Sequence, residues 1–213
     1  MVTMWIFIGT GFSGALTLHF LYRLLYRSFA TPPSIESHFS PKGGVTDVVV
    51  KELGHARREI LVLAYSFTSQ PISKALVDAK MRGVHVEIVL DHSNEQEPYS
   101  DLHFFLEQKM TPVIDAHHAI AHNKVMIIDG RTLLTGSFNF TNQAENENAE
   151  NLLVIKGQPE LIKAYRADFH VHKEHARAAE PKVAPAVSAE SRGAPQHPKV
   201  PPIKIEGAAK HAA

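Results

Sequence analysis

Cysteine is absent from this 213-residue chain. Disulfides, thiolate nucleophiles and cysteine-based zinc sites are therefore excluded. Net charge is absent as well, since 22 Lys and Arg balance 22 Asp and Glu. A protein that coats nucleic acid non-specifically carries a basic excess. Any contact with a polyanion here needs a local basic groove instead. What the chain does have in quantity is histidine, with 14 residues, which makes its charge responsive to pH near neutrality. The length and a hydrophobic fraction of 44% suit one folded domain with appendages.

Residues 1–22 contain no acidic or basic side chain except His19. Roughly 20 apolar residues suffice for a membrane-spanning helix, so residues 1–27 read as an N-terminal transmembrane anchor. Arg23 and Arg27 follow the apolar run, and basic flanks stay cytoplasmic. The expected location is a membrane-anchored protein with its folded body in the cytoplasm. The rival reading is a signal segment cleaved after Ser28, Phe29 and Ala30, leaving a periplasmic or secreted body. Gly9, Gly11 and Gly14 match G-x-G-x-x-G, but only an apolar run precedes them, without the strand a dinucleotide site needs.

Residues 31–177 carry the folded domain. Strands are expected at 35–39, 60–67, 84–90, 112–115, 125–129, 132–135 and 152–155. Helices are expected at 45–58, 70–81, 102–110 and 160–177. Pro71 near a helix start and Gly83 just past its end bracket the second helix. Strand and helix alternate early and strands cluster late. The fold class is α/β, a mixed β-sheet flanked by helices on both faces. Residues 178–213 are rich in Pro, Ala and Lys. They bury too little apolar surface to offset chain entropy and read as a disordered tail.

One stretch carries the chemistry: His122-x-Lys124-x4-Asp129-x6-Gly136-Ser137-x-Asn139. Side chains alternate across a strand. His122 and Lys124 therefore share a face, as do Ser137 and Asn139. A phosphate held between the two strand ends meets an imidazole, an ammonium, a hydroxyl and a carboxamide. Imidazole is a nucleophile available near neutrality, and the other three groups can hold charged phosphoryl oxygens. This is equipment for cleaving a phosphodiester without a cofactor, and no metal is called for. Asp129 ends its strand at a turn and is expected to hold the hairpin rather than touch substrate.

The pattern resembles the phospholipase D superfamily. The likeness extends through residues 64–69, 75–80 and 145–151, and resembles its small bacterial nuclease branch and the single-motif mitochondrial phospholipase D-like enzymes. It implies the phospholipase D/nuclease fold, with Asp129 and Gly136 as structural members of the motif. It implies His122 as the residue phosphorylated, assisted by Lys124, Ser137 and Asn139. It implies Glu150 as the carboxylate that orients the imidazole. Larger members carry two motifs per chain, and this chain has one, so the resemblance implies a homodimer that pairs two His122 side chains across one phosphate. The leading reading is an endonuclease acting on DNA or RNA. The alternative is a phospholipase D acting on phosphatidylcholine or cardiolipin, brought near headgroups by the anchor. Lys80, Arg82 and Arg131 are candidate backbone contacts. His117 and His118 are candidate substrate contacts at the mouth of the cleft. His170, His172 and His175 suggest a metal, but only His172 and His175 share an i,i+3 spacing. No carboxylate or cysteine set nearby in sequence completes a ligand shell, so these histidines are expected on the surface.

Overall fold

The computed structural model describes residues 32–179. The expected membrane helix over residues 1–27 and nearly all of the expected disordered tail lie outside that range. Among the described residues no helix is long and apolar enough to cross a membrane.

Eight strands form one mixed sheet: β1 (Ser34–Phe39), β2 (Glu59–Ala64), β3 (His85–Asp91), β4 (Val113–Asp115), β5 (Lys124–Ile128), β6 (Thr132–Gly136), β7 (Asn151–Lys156) and β8 (Arg177–Ala178). Their spatial order is β1-β7-β6-β5-β2-β3-β4-β8. β2, β3 and β4 run parallel. β5, β6 and β7 form an antiparallel meander that joins β2 through β5. The helices are α1 (Val45–His55), α2 (Gln70–Met81), α3 (Leu102–Glu107), α4 (Asn142–Asn146) and α5 (Pro159–His175).

β2 is buried along most of its length, because successive side chains feed two different cores. Ile60, Val62 and Ala64 pack with Val49 and Leu53 of α1 and with Ile72 and Leu76 of α2. Leu61 and Leu63 pack on the other face with Ile162 and Phe169 of α5. A continuous apolar run is what a strand covered on both faces requires. The observed elements follow the expected alternation of strand and helix.

Three elements were not anticipated: a 3₁₀ turn at His92–Glu95, the short α4, and β8. β8 pairs with β4, so ordered structure extends through Ala178, one residue past the expected domain edge. The end of α2 follows its glycine. Gly83 has φ +88°. Gly83 N–H donates to the Lys80 carbonyl at 2.9 Å and Val84 N–H to the Ala79 carbonyl at 3.1 Å. That pair of bonds is the Schellman arrangement, which satisfies the helix's orphan carbonyls.

Candidate active site

The sheet's ladder positions the motif. Lys124 opens β5 opposite Ala64, the last residue of β2. One residue further along, Tyr65 N–H donates to the Asn123 carbonyl at 2.8 Å. The Tyr65 ring then lies against both motif residues. Its centroid is 4.6 Å from that of the His122 imidazole and 5.0 Å from Lys124 Nζ. Lys124 Nζ donates to the His122 carbonyl at 3.1 Å. His122 is exposed, whereas Lys124 retains only 6% of its surface. Burial lowers the Lys124 pKa, and the nearby Glu150 carboxylate partly counters it. An ammonium stripped of water but kept charged by a carboxylate binds a phosphoryl group strongly.

Ser137 and Asn139 follow β6. Asn151 donates to Ser137 Oγ twice, from its backbone N–H at 3.0 Å and from Nδ2 at 3.2 Å. A hydroxyl has two acceptor lone pairs and one hydrogen. With both lone pairs occupied, that hydrogen is left to donate outward. Asn139 Oδ1 is buried and has no partner among the described residues. It lines a cleft of about 430 Å³ together with Tyr65, Ser66, Ser93, Gln96, Glu97, Thr141, Gln143 and Asn148. Gly136 admits no side chain, because a Cβ there would lie 2.3 Å from the Asn151 carbonyl oxygen. Its bareness lets β6 and β7 close tightly enough for Asn151 to hold Ser137.

Glu150 accepts a hydrogen bond from Asn148 Nδ2 at 3.2 Å, and its charge acts on Lys124. No hydrogen bond joins it to His122 among the described residues, so the expected orienting contact is not made here. Glu145 serves the scaffold, accepting from Gly44 N–H at 2.9 Å and Thr46 N–H at 2.7 Å at the N-terminus of α1. Asp129 also faces away from the cleft. Its carboxylate accepts backbone hydrogen bonds from Arg57, Arg58 and Glu59. It therefore ties the β5–β6 turn to the segment entering β2, where the sequence suggested bonds within the hairpin itself.

Several expected substrate contacts lie elsewhere. Arg131 sits at the β5–β6 turn, at the opposite end of β5 from Lys124. The four steps of strand between those ends span about 14 Å. Lys80 and Arg82 lie at the far end of α2 and donate to the carbonyls of Lys109 and Leu53. His117 and His118 turn from the cleft toward α5. His117 N–H donates to Asp115 Oδ1 at 3.0 Å, and His118 Nδ1 lies 3.2 Å from Asp115 Oδ2.

The expectation of surface histidines in α5 holds for His170, which is exposed, but is corrected for the buried His172 and the half-buried His175. His172 is 8% exposed, and its Nδ1 lies 2.6 Å from Asp115 Oδ2. His175 Nε2 is 3.3 Å from the same oxygen. The missing carboxylate comes from β4, nearly 60 residues away in sequence, so local spacing could not supply it. Burial alone would raise the Asp115 pKa. Hydrogen bonds from His172, the His117 backbone, His175 and His118 outweigh it and hold the carboxyl well below the usual range. Tyr65 and Asp115 are the two residues whose importance the sequence did not single out. Tyr65 sat unassigned within the segment at 64–69, and Asp115 has no motif of its own.

Comparison with known proteins agrees with this geometry. A family model described as "Cardiolipin synthase, PLD-like domain" matches residues 49–173. A Rickettsia typhi protein named phospholipase D is 36% identical, with 74% of this chain and 83% of that protein covered. A mitochondrial cardiolipin hydrolase from Chlamydomonas reinhardtii is 35% identical over 55% of this chain and 52% of its own length. Among solved structures, the phospholipase D family member Nuc from Salmonella typhimurium is 35% identical, with a TM-score of 0.66 over 70% of this chain and 99% of that one.

Proposed function

This chain belongs to the phospholipase D superfamily and is a phosphodiesterase, and from that premise we propose that it is a homodimeric endonuclease acting through a phosphohistidine. His122 attacks phosphorus, and an N–P bond forms as the P–O bond to the leaving group breaks. His122 of the partner subunit, as imidazolium, gives its proton to the departing oxygen. That imidazole, now neutral, takes a proton from water, whose oxygen displaces His122 and regenerates the enzyme. Lys124, the Ser137 hydroxyl and the Asn139 amide hold the non-bridging oxygens. Each such donor contributes about 3 kcal/mol to lowering the barrier. No metal is needed at phosphorus.

The observation that carries the chemistry is the packing of Tyr65 against both His122 and Lys124, which presents imidazole and ammonium together at one end of the sheet. The side chains that line the cleft are mostly polar and include no Lys or Arg, so they offer no apolar rim for acyl chains and leave Lys124, at the same end of the sheet, as the cation for phosphate. Likeness to Nuc supports a nucleic-acid substrate. The second reading is a phospholipase D that hydrolyses phosphatidylcholine or cardiolipin to phosphatidate. It is favoured by the names of the Rickettsia and Chlamydomonas relatives and by the apolar residues 1–22.

The test is incubation of the purified chain with single-stranded DNA, single-stranded RNA and cardiolipin or phosphatidylcholine vesicles, in EDTA. The nuclease reading expects cleaved nucleic acid and intact lipid. The reverse result installs the phospholipase. His122→Ala should abolish either activity, and quenching in alkaline denaturant should trap phosphorus on the His122 ring of the wild type.

A further inference from the structure

Away from the cleft, four metal-binding side chains converge from three segments. Asp115 ends β4, His118 lies in the loop that leads to His122, and His172 and His175 lie in the last turns of α5. One donor atom from each falls within 4.8 Å of all the others.

As hydrogen bonding alone, the cluster is oversubscribed. Three imidazole nitrogens, His172 Nδ1, His118 Nδ1 and His175 Nε2, point at the single oxygen Asp115 Oδ2, at 2.6, 3.2 and 3.3 Å. One carboxylate oxygen offers about two lone pairs. A tetrahedral ion with bonds of about 2.0–2.1 Å holds its ligands about 3.3 Å apart. Two of the three separations already have that length, and the third requires His172 to withdraw by a fraction of an ångström.

We propose that Asp115, His118, His172 and His175 form a binding site for a divalent ion of the zinc class, which fastens the segment carrying the catalytic motif to α5. Three nitrogens and one carboxylate oxygen suit zinc, and four protein ligands make a closed, structural site. Metal-bound imidazoles characteristically donate their second N–H to an oxygen. His172 Nε2 lies 3.3 Å from Asn123 Nδ2, one half of an amide that can flip, and 3.8 Å from Asp168 Oδ2. With its amide oxygen turned to the ring, Asn123 accepts that proton. Asn123 sits between His122 and Lys124, so the ion holds the motif strand through a single intermediary. His117, whose ring is 4.6 Å from that of His175, walls the outer side of the site.

The site is independent of the substrate question and is tested without substrate. The full-length, tag-free chain is stripped with chelator, dialysed, and titrated with Zn²⁺ by calorimetry. One strong equivalent per chain is expected, with a rise in the thermal midpoint and slower hydrogen exchange across residues 116–124. Co²⁺ should give the intense visible spectrum of a tetrahedral centre. His118→Ala and His175→Ala change exposed or half-exposed rings and should each weaken Zn²⁺ binding at least tenfold. His122→Ala should bind as wild type does. The proposal is overturned by no strong equivalent, by unchanged affinity in the double variant His118→Ala/His175→Ala, or by unaltered exchange across residues 116–124. Loss of hydrolysis in His122→Ala with Zn²⁺ binding intact separates the two sites.

Discussion

Replacing Asp129 tests whether the aspartate of the motif is a chemical participant or a fastening. Its carboxylate accepts from three backbone N–H groups, at 3.0 Å from Arg57, 2.7 Å from Arg58 and 3.1 Å from Glu59. Hydrogen bonds to a charged acceptor contribute about 1.5–3 kcal/mol each when shielded. The Arg57 and Arg58 contacts are exposed, so water recovers much of theirs, and about 1 kcal/mol for the pair is reasonable. The Glu59 bond, partly buried, adds about 1.5 kcal/mol. Asp129 also holds φ +54°, a conformation that costs alanine about 1–2 kcal/mol. Asp129→Ala should therefore destabilise by about 4 kcal/mol. Asp129→Gly, freed of the backbone cost, should lose about 2.5 kcal/mol. Asp129→Asn, which keeps an acceptor and tolerates the backbone, should lose about 1 kcal/mol. Urea unfolding followed by circular dichroism gives the order Asn, Gly, Ala. Below each midpoint, kcat on a chromogenic phosphodiester should stay within about threefold of wild type, because about 17 Å of strand separates Asp129 from Lys124. A hundredfold fall in kcat with an unmoved midpoint would refute the structural role.

Three further outcomes are expected. Ser137→Ala should lower kcat about 10²-fold with little change in KM, as loss of one donor to the transition state does; equal loss in a Ser137→Thr variant would point to packing instead. Gly136→Ala should cost more than about 2 kcal/mol and most activity, since its Cβ meets the Asn151 carbonyl; a crystal structure of an active variant with the strands unmoved would contradict this. Burial opposes ionisation of Glu87, but the Lys173 ion pair at 2.5 Å and the His85 contact outweigh it and lower its pKa. A carboxylate with a lowered folded pKa stabilises above its unfolded value and loses that contribution as pH falls through the folded one. Wild type should therefore be more stable than Glu87→Gln above pH ~4.5 and lose that margin as pH falls, giving the steeper decline of stability in acid, and identical pH slopes below pH ~4.5 would dismiss the pair.

Much of this fold was legible because β2 and β5 bury nearly unbroken apolar runs, and because Pro71 and Gly83 mark the ends of α2. The alternation His122-x-Lys124 reported a shared face directly. What was not legible depends on contacts distant in sequence. The Asp115 cluster joins β4 to α5, and its histidines looked superficial because their carboxylate is not their neighbour. Arg131, Lys80 and Arg82 looked available because charge alone does not reveal which end of a strand or helix a residue occupies. β8 is too short for any periodicity to announce it.

The four residues between Lys124 and Asp129 acquire a meaning from the ladder they occupy. Val125, Met126, Ile127 and Ile128 pair with β2 on one side and β6 on the other, so the interval is a measured length of strut between a reactive tip and a bolted base. One residue inserted there would swing the ammonium to the opposite side of the sheet. Two would restore its aspect but carry it about 7 Å beyond the tyrosine it rests on. The interval can accept changes of side chain, within the limits of packing, but not changes of count.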